Sequence, residues 1–549
     1  MAEKEFNLLH EPWILVMNHD GTTEELSLLN VFRKAHTLHG LAGELATQDI
    51  AILRFLLAIL HATFGRQDVE GNYHPISEQS GASPADARQR WKSLWDSKEF
   101  PYGVIEKYLL KYEDRFWLFH PERPFYQVAE LNKVPTTSYE SSKLNGEISE
   151  SSNKVRLFPQ RTGAKKSSLP YNEVARWLLY VNAFDDTSAK PKQPNLPSPG
   201  IGWLGKLGLI IAVGSNLFET LMLNFVLLPN GEKELWHEEK PIWEVGKTKS
   251  AERTEITMPR NASEILTLQS RRLLLKRKGD SVIGYDLLGG DFFSKENPQL
   301  EQMTVWKYIV KSGTTKPELT PKRHNPAQKL WRDFSSLVAQ GEAKKRPGVI
   351  EWLAHLKTNH LLKNRHFRFQ TASVHYGDKD FFVDDIFSDS ISFNADLLED
   401  LGINWVNAIV NEIKTTELLV NQLWVLKQGL AIAEGHSDLK THEKLLRKQE
   451  KQVKAQAYFR LDAPFRQWLE GIVINDEPEE TCEKWFVTAK EIIRNLGKEL
   501  VTRCGPQSTI GHTITTNGKV IHYIAPDLFN HFLSKTKSRE ALEKPSKRR

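Results

Sequence analysis

Only two of the 549 residues are cysteine, Cys482 and Cys504. Two thiols exclude a disulfide framework and a four-cysteine zinc site, and they suit a reducing compartment. Long apolar runs are also scarce. The longest stretches, Leu207–Val213 and Leu221–Leu228, fall well short of the roughly 20 residues a membrane helix needs. Met1-Ala2-Glu3-Lys4-Glu5 has no basic segment leading into an apolar one, so no secretory leader is expected. These features predict a cytoplasmic protein with no membrane partner. A strong charge of one sign is missing too. The net charge is +5, and the tail Leu533–Arg549 supplies all of it, leaving the rest balanced. An argument for nucleic acid must therefore come from local clusters.

The usual motifs of catalysis are missing as well. There is no phosphate-binding loop ending in Lys-Ser/Thr, no Gly-x-Ser-x-Gly and no paired cysteine spacing. His237-Glu238-Glu239 and His442-Glu443 lack the second histidine that a zincin helix requires. No constellation points to a catalytic residue, metal or cofactor, although missing motifs do not by themselves exclude an enzyme.

What is present is the composition of a folded protein of several domains. Hydrophobic residues make up 40%, charged residues 26% and aromatics 10%, with fifteen Trp, so there is ample apolar surface to offset chain ordering. Asp20-Gly21 predicts a hairpin turn, and Thr47–Phe64 a buried helix. Strands are expected at 116–119, 207–213 and 367–375, and helices at 171–184 and 217–228. Thr136–Ser168 is polar and aperiodic, and reads as a long functional or disordered loop. After about residue 395, apolar residues recur at helical spacing, as in Leu419, Leu423, Leu426 and Leu430. Helical stretches are expected at 438–456, 462–474, 478–500 and 526–541. The fold class is α+β: a mixed α/β N-terminal domain over 1–390, then an all-α bundle with a basic tail over 391–549.

Gly200-Ile201-Gly202-Trp203-Leu204-Gly205 matches the dinucleotide fingerprint by letter, but prolines precede it and a strand follows. The motif needs the reverse order, strand before and helix after. A tight turn and a loop whose backbone approaches a ligand closely are the other readings, with a dinucleotide-binding enzyme or an assembly scaffold without DNA readout kept as rivals. Basic clusters are more suggestive. Arg271, Arg272, Lys276, Arg277 and Lys278 crowd eight positions, and Lys322, Arg323, Lys329, Arg332, Lys344, Lys345 and Arg346 form a looser set. Lys440, Lys444, Arg447, Lys451 and Lys454 recur at 3–4 spacing. Such a stripe is either a solvated helix face or a track for phosphates.

Several segments resemble one family in order along the chain. They are Phe6-Asn7-Leu8-Leu9 with Glu11-Pro12-Trp13-Ile14, His120-Pro121-Glu122-Arg123-Pro124-Phe125, Asn216–Asn224, Gln269-Ser270-Arg271-Arg272 and Gln302–Trp306. Together they are similar to the large subunit (CasA) of the type I-E CRISPR surveillance complex, Cascade. The resemblance implies a C-terminal four-helix bundle and a role beside the 5′ handle of the guide RNA. It implies reading of the protospacer-adjacent motif (PAM) on duplex DNA, the start of strand separation, and recruitment of a helicase–nuclease. The implied partners are crRNA, the backbone, small-subunit and handle-binding proteins of the complex, and double-stranded target DNA.

Site residues follow from the same resemblance. Asn153, Lys154, Arg156 and Phe158 match a loop near the RNA handle and PAM. Pro197, Ser198, Pro199, Gly200, Ile201 and Gly202 match a glycine loop lying against the PAM minor groove. Lys295 matches a lysine finger that donates to minor-groove acceptors. Gly377, Asp378, Lys379, Asp380 and Phe381 match the strand-separating wedge, where Lys379 or Phe381 would do the prising because aspartate repels phosphate. The stripe from Lys440 to Lys454 would hold the displaced strand. With two cysteines the chain cannot carry the zinc site found in some family members.

Overall fold

The computed structural model describes residues 4–150, 155, 157–188, 190–191, 198–231, 234–245, 256–257, 259–293, 297–310, 318–338, 345–363, 366–436, 443–516 and 519–544. The chain forms two compact units. The first comprises 1–326, 340–363 and 368–390; the second comprises 327–339, 364–367 and 391–549.

The first unit is mixed α/β. Its centre is the helix Ala46–Phe64, in which nearly every residue is buried. Nineteen apolar-rich residues are long enough to cross a membrane, but this helix is enclosed by protein on all sides. Phe55 meets Trp13, Phe125 and Trp243 at ring-centroid distances of 5.5 to 6.1 Å. Small sheets surround it. Ile14–Asn18 pairs with Thr23–Leu26 across the Asp20-Gly21 turn and with Leu38–Leu41 on its other edge. Arg271–Lys278 and Ser281–Gly289 form a long antiparallel pair extended by Thr137–Glu140. The strand His366–Tyr376 lies between Val383–Asn394 and Ile211–Val213.

One charge inside this core is fully enclosed. Arg54 on the central helix makes a bidentate pair with Glu301 at 2.7 and 2.9 Å, and both side chains are buried. Trp203 Nε1 donates to the same carboxylate at 3.0 Å. Burial alone would raise the Glu301 pKa; the Arg54 charge and these donors outweigh it and hold the carboxyl below its ordinary value.

The segment expected to be a long loop at 136–168 contains regular and buried structure among its described residues. Thr137–Glu140 is a strand, and Ser141–Ile148 turns inward with Ser141, Leu144, Asn145 and Ile148 fully buried. Polar residues enter the interior here because ion pairs hold them: Lys143 to Asp186, Lys166 to Glu150, and Arg161 to Glu147 and Glu173. Periodicity analysis misses such a segment because its anchors are charges.

The second unit is helical. Ile403–Ala433, Glu443–Glu470, Pro478–Thr502 and Ala525–Lys535 pack as four helices. The break expected near 456–462 is absent, since Val453, Ala457, Leu461, Phe465 and Leu469 continue one buried face through Pro464. Phe465 stacks on Trp331 at 4.2 Å and meets Trp485 edge-on at 5.0 Å. The unit also holds an antiparallel hairpin, His512–Thr516 with Lys519–Tyr523, which the all-α expectation did not include.

Removing one partner of the Arg54–Glu301 pair strands a buried charge. Arg54→Ala is expected to lower stability by about 3–5 kcal/mol in denaturant titration followed by tryptophan fluorescence. A loss below about 1 kcal/mol would show that the pair does not organise this core.

Candidate nucleic-acid interface

The helix Tyr171–Phe184 ends at two consecutive carboxylates, Asp185 and Asp186, both buried. Four chain segments converge on them. Arg271 pairs with the Asp185 carboxylate, and Lys190 reaches the same group at 2.9 Å. Lys143 pairs with Asp186. The second arm of Arg271 donates to the carbonyl oxygens of Asp186 at 3.1 Å and Gly200 at 2.7 Å. Burial on its own would raise the Asp185 pKa; Lys190, Arg271 and Lys143 reverse it and hold the carboxyl well below the usual range.

The glycine segment is shaped by this knot. The Gly202 N–H donates to the Asp185 carbonyl at 2.8 Å, and Trp203 N–H donates to Ser270 Oγ at 3.0 Å. A Cβ on Gly202 would overlap the Ala183 carbonyl, and one on Gly205 would overlap the Tyr376 hydroxyl. Gly202 and Gly205 are thus each required by packing within the protein. Gly200 differs: among the described residues a Cβ there would meet only Lys206, at 3.5 Å. Ser198 is exposed, Pro199 and Gly200 are half-buried and Ile201 is core. Pro197 lies outside the described residues. The segment leads into the three-residue turn Leu204–Lys206, so there is no helix N-terminus to receive a pyrophosphate.

The tip of the hairpin between His366–Tyr376 and Val383–Asn394 is bound to the same place. Tyr376 donates its hydroxyl to the Phe184 carbonyl at 2.7 Å. Thr187 N–H donates to the Asp380 carbonyl, and Thr187 Oγ1 to the Lys379 carbonyl, each at 3.0 Å. Gly377 is required because a Cβ would enter the Phe382 ring. Lys379 and Asp380 adopt left-handed backbone, with φ of 55° and 58°. That conformation is uncommon for non-glycine residues and marks a tightly constrained tip. Asp378 and Lys379 are exposed, and Phe381 is 41% exposed. Arg323 makes a bidentate pair with Asp380 at 2.9 Å, so one of the two aspartates is already neutralised. The glycine segment and the hairpin tip, far apart in sequence, therefore form one rim.

Phe158 is 92% exposed beside exposed Leu157 and Val155, which excludes local core packing for this ring. Arg161 is tied back to Glu147 and Glu173 and does not flank the ring as a free cation. Asn153, Lys154, Arg156 and Lys295 lie outside the described residues. Arg271 and Arg272, expected to offer charge to phosphates, are buried and paired with Asp185 and Asp291. Lys276 pairs with Asp286 at 2.7 Å and Arg277 with Glu5. In the helical stripe Arg447 and Lys451 are exposed, while Lys454 pairs with Glu450 at 2.7 Å. Lys440 and the Lys444 side chain lie outside the described residues.

The sequence reading missed Asp185 and Asp186. A double acid closing an apolar helix was the available signal.

The sequence matches the CRISPR-associated protein Cse1 family over residues 7–496. The chain belongs to the Cse1 family. A relative from Thermus thermophilus, CRISPR-associated protein CasA/Cse1, is 28% identical over 344 residues; the match spans 62% of this chain and 62% of that relative's length. The Thermobifida fusca Cse1 crystal structure superposes with a TM-score of 0.82 at 27% identity, covering 98% of this chain and 99% of that one. A chain of a structure described as a CRISPR RNA-guided surveillance complex superposes with a TM-score of 0.69 at 16% identity, covering 98% and 100%. The mixed α/β body and helical C-terminal region are thus those of Cse1 structures.

Gly202→Ala is expected to cost about 1–3 kcal/mol in thermal or chemical unfolding, because backbone must shift. Gly200→Ala should stay within about 0.5 kcal/mol of the parent. Equal losses at the two positions would contradict the division of roles between these glycines.

Proposed function

We propose that this chain is the large subunit of a type I-E CRISPR RNA-guided surveillance complex (Cascade), acting in antiviral defence by reading the PAM on double-stranded target DNA. Family membership supports the subunit assignment. The observation that carries the DNA reading is the joining of the 198–202 segment and the 377–381 tip on one rim through the Asp185–Asp186 knot. A reader of a short duplex motif needs a rigid element in the groove and a second element at a fixed offset to enter between base pairs. Guide pairing supplies the long sequence readout, so the protein has only the flank to read.

In this reading Ser198, Pro199 and Gly200 face the minor groove, whose acceptor pattern is degenerate, so several related flanks are tolerated. Phe381 and Lys379 prise the first base pair, an apolar wedge beside a cation, while Arg323 removes the repulsion that Asp380 would otherwise add. Exposed Phe158, with Asn153, Lys154 and Arg156 of the same loop, contacts the guide-RNA handle or a neighbouring subunit. Lys295 serves as the minor-groove lysine. Lys440, Lys444, Arg447, Lys451 and Lys454 hold displaced single strand in a salt-dependent manner. The subunit is non-catalytic and helps to recruit the helicase–nuclease.

The test is target binding by the crRNA-loaded complex, assembled with and without this chain, over duplexes randomised beside the protospacer. Tighter binding to a restricted set of flanks is expected. Equal gain for every flank would reduce the chain to a scaffold or non-specific clamp. In the same assay, with 2-aminopurine at the first pair, Lys379→Ala with Phe381→Ala should slow strand opening and leave flank binding largely intact; unchanged opening would remove the wedge assignment.

A further inference from the structure

The hairpin tip at 377–382 is closed by its own backbone. Gly377 N–H donates to the Phe382 carbonyl at 2.9 Å, Asp380 N–H to the Gly377 carbonyl at 3.0 Å, and Phe381 N–H to the Asp378 carbonyl at 3.1 Å. Within that turn Lys379 and Asp380 stand in succession at φ of 55° and 58°. Neither is glycine, and such backbone persists only where its surroundings over-determine it. Two residues from elsewhere in the chain supply the constraint. Thr187 bonds to the carbonyls of both, through Oγ1 to Lys379 and through N–H to Asp380, each at 3.0 Å. Arg323 holds the Asp380 carboxylate with both arms at 2.9 Å. Each stands on a fixed base. Thr187 lies between Asp186, which Lys143 pairs, and Ser188, whose N–H donates to the Asp186 carboxylate at 2.8 Å. Arg323 lies between Lys322, whose N–H donates to the Val305 carbonyl at 2.9 Å, and His324, whose Nε2 donates to the Leu209 carbonyl at 2.9 Å. Backbone dihedrals fix where each Cα–Cβ bond points, so this double grip also aims the side chains of Lys379 and Phe381.

We infer that Thr187 and Arg323 are positioning residues of the strand-separating wedge, holding its tip in the inserting conformation before the duplex arrives. The inference rests on the wedge reading proposed above. A preformed wedge loses little conformational freedom when it enters the duplex. Asp380 then has a purpose at a place where a carboxylate would otherwise only repel phosphate: it is the handle by which Arg323 grips the tip.

The experiment uses the fully assembled, crRNA-loaded complex and three variants of this chain. Thr187→Val removes the Oγ1 bond at constant size, and Thr187→Ser keeps it. Arg323→Ala with Asp380→Asn removes the ion pair without changing net charge, and asparagine tolerates left-handed backbone. Each complex is given two duplexes bearing a preferred flank, one fully paired and one mismatched at the first pair, with 2-aminopurine at the second pair reporting opening. On the paired duplex Thr187→Val and the double variant are expected to open about 3- to 10-fold more slowly than the parent chain, as the loss of roughly one hydrogen bond implies, with Thr187→Ser within about 2-fold of the parent. Thr187→Val should match the parent on the mismatched duplex, where the first pair is already parted, and in flank affinity. Parent rates on the paired duplex for Thr187→Val or for the double variant would overturn the inference. So would slowing by Thr187→Val that persists on the mismatched duplex, which marks a general packing defect, or equal slowing by Thr187→Ser. If Lys379→Ala with Phe381→Ala opens the paired duplex at the parent rate, the wedge reading itself has failed; if that variant is slow and Thr187→Val is not, only this inference has.

Discussion

Two adjacent carboxylates at the end of one helix organise the candidate interface. Asp185 and Asp186 are buried, a placement that would be costly for isolated charges. The cost is met by Arg271, Lys190 and Lys143, drawn from three other segments. Two of these cations also donate to backbone nearby. Arg271 reaches the Gly200 carbonyl, and Lys190 reaches the Asp186 carbonyl at 2.7 Å. A neutral core could have packed these segments. It would not have fixed the direction of so many carbonyl groups, since dispersion contacts are non-directional while charge-assisted hydrogen bonds are oriented and short.

The arrangement explains why a glycine-rich segment and a hairpin tip more than 170 positions apart act as one body. The chain is short of regular structure at both places, yet Gly202 is pinned to the Asp185 carbonyl and Tyr376 to the Phe184 carbonyl. Left-handed backbone at Lys379 and Asp380 is held by Thr187 and by the Arg323 pair. Rigid loops of this kind lose little conformational entropy on binding, which favours recognition of a short motif by few contacts.

Much of the architecture was legible from residue pattern. The central helix, the helix Tyr171–Phe184, the Asp20-Gly21 hairpin and the helical C-terminal region all carry strong apolar periodicity, and packing confirms it. Segments held by charge were not legible. Residues 141–150 look like solvent-exposed loop because the hydrophobic signal is weak, and their partners, such as Asp186, lie far away in sequence. The same blindness misplaced Arg271 and Arg272: a basic run reads as surface until an acid is brought to it by the fold. Glycine letters were equally ambiguous. Gly202 and Gly205 answer to Ala183 and Tyr376, whereas among the described residues a Cβ on Gly200 would meet Lys206 at ordinary contact distance.

The buried acid pair couples the glycine segment to the hairpin tip. Amide hydrogen exchange on the full chain carrying Asp185→Asn tests it most directly. Neither the Gly202 bond nor the Thr187 bonds use the Asp185 side chain, so any effect must travel through Arg271 and Lys190. Amides of 202–203 and of 377–381 are expected to lose protection together, while the strands 512–516 and 519–523 in the helical unit keep theirs. Loss confined to one of the two segments, or protection unchanged in both, would contradict it.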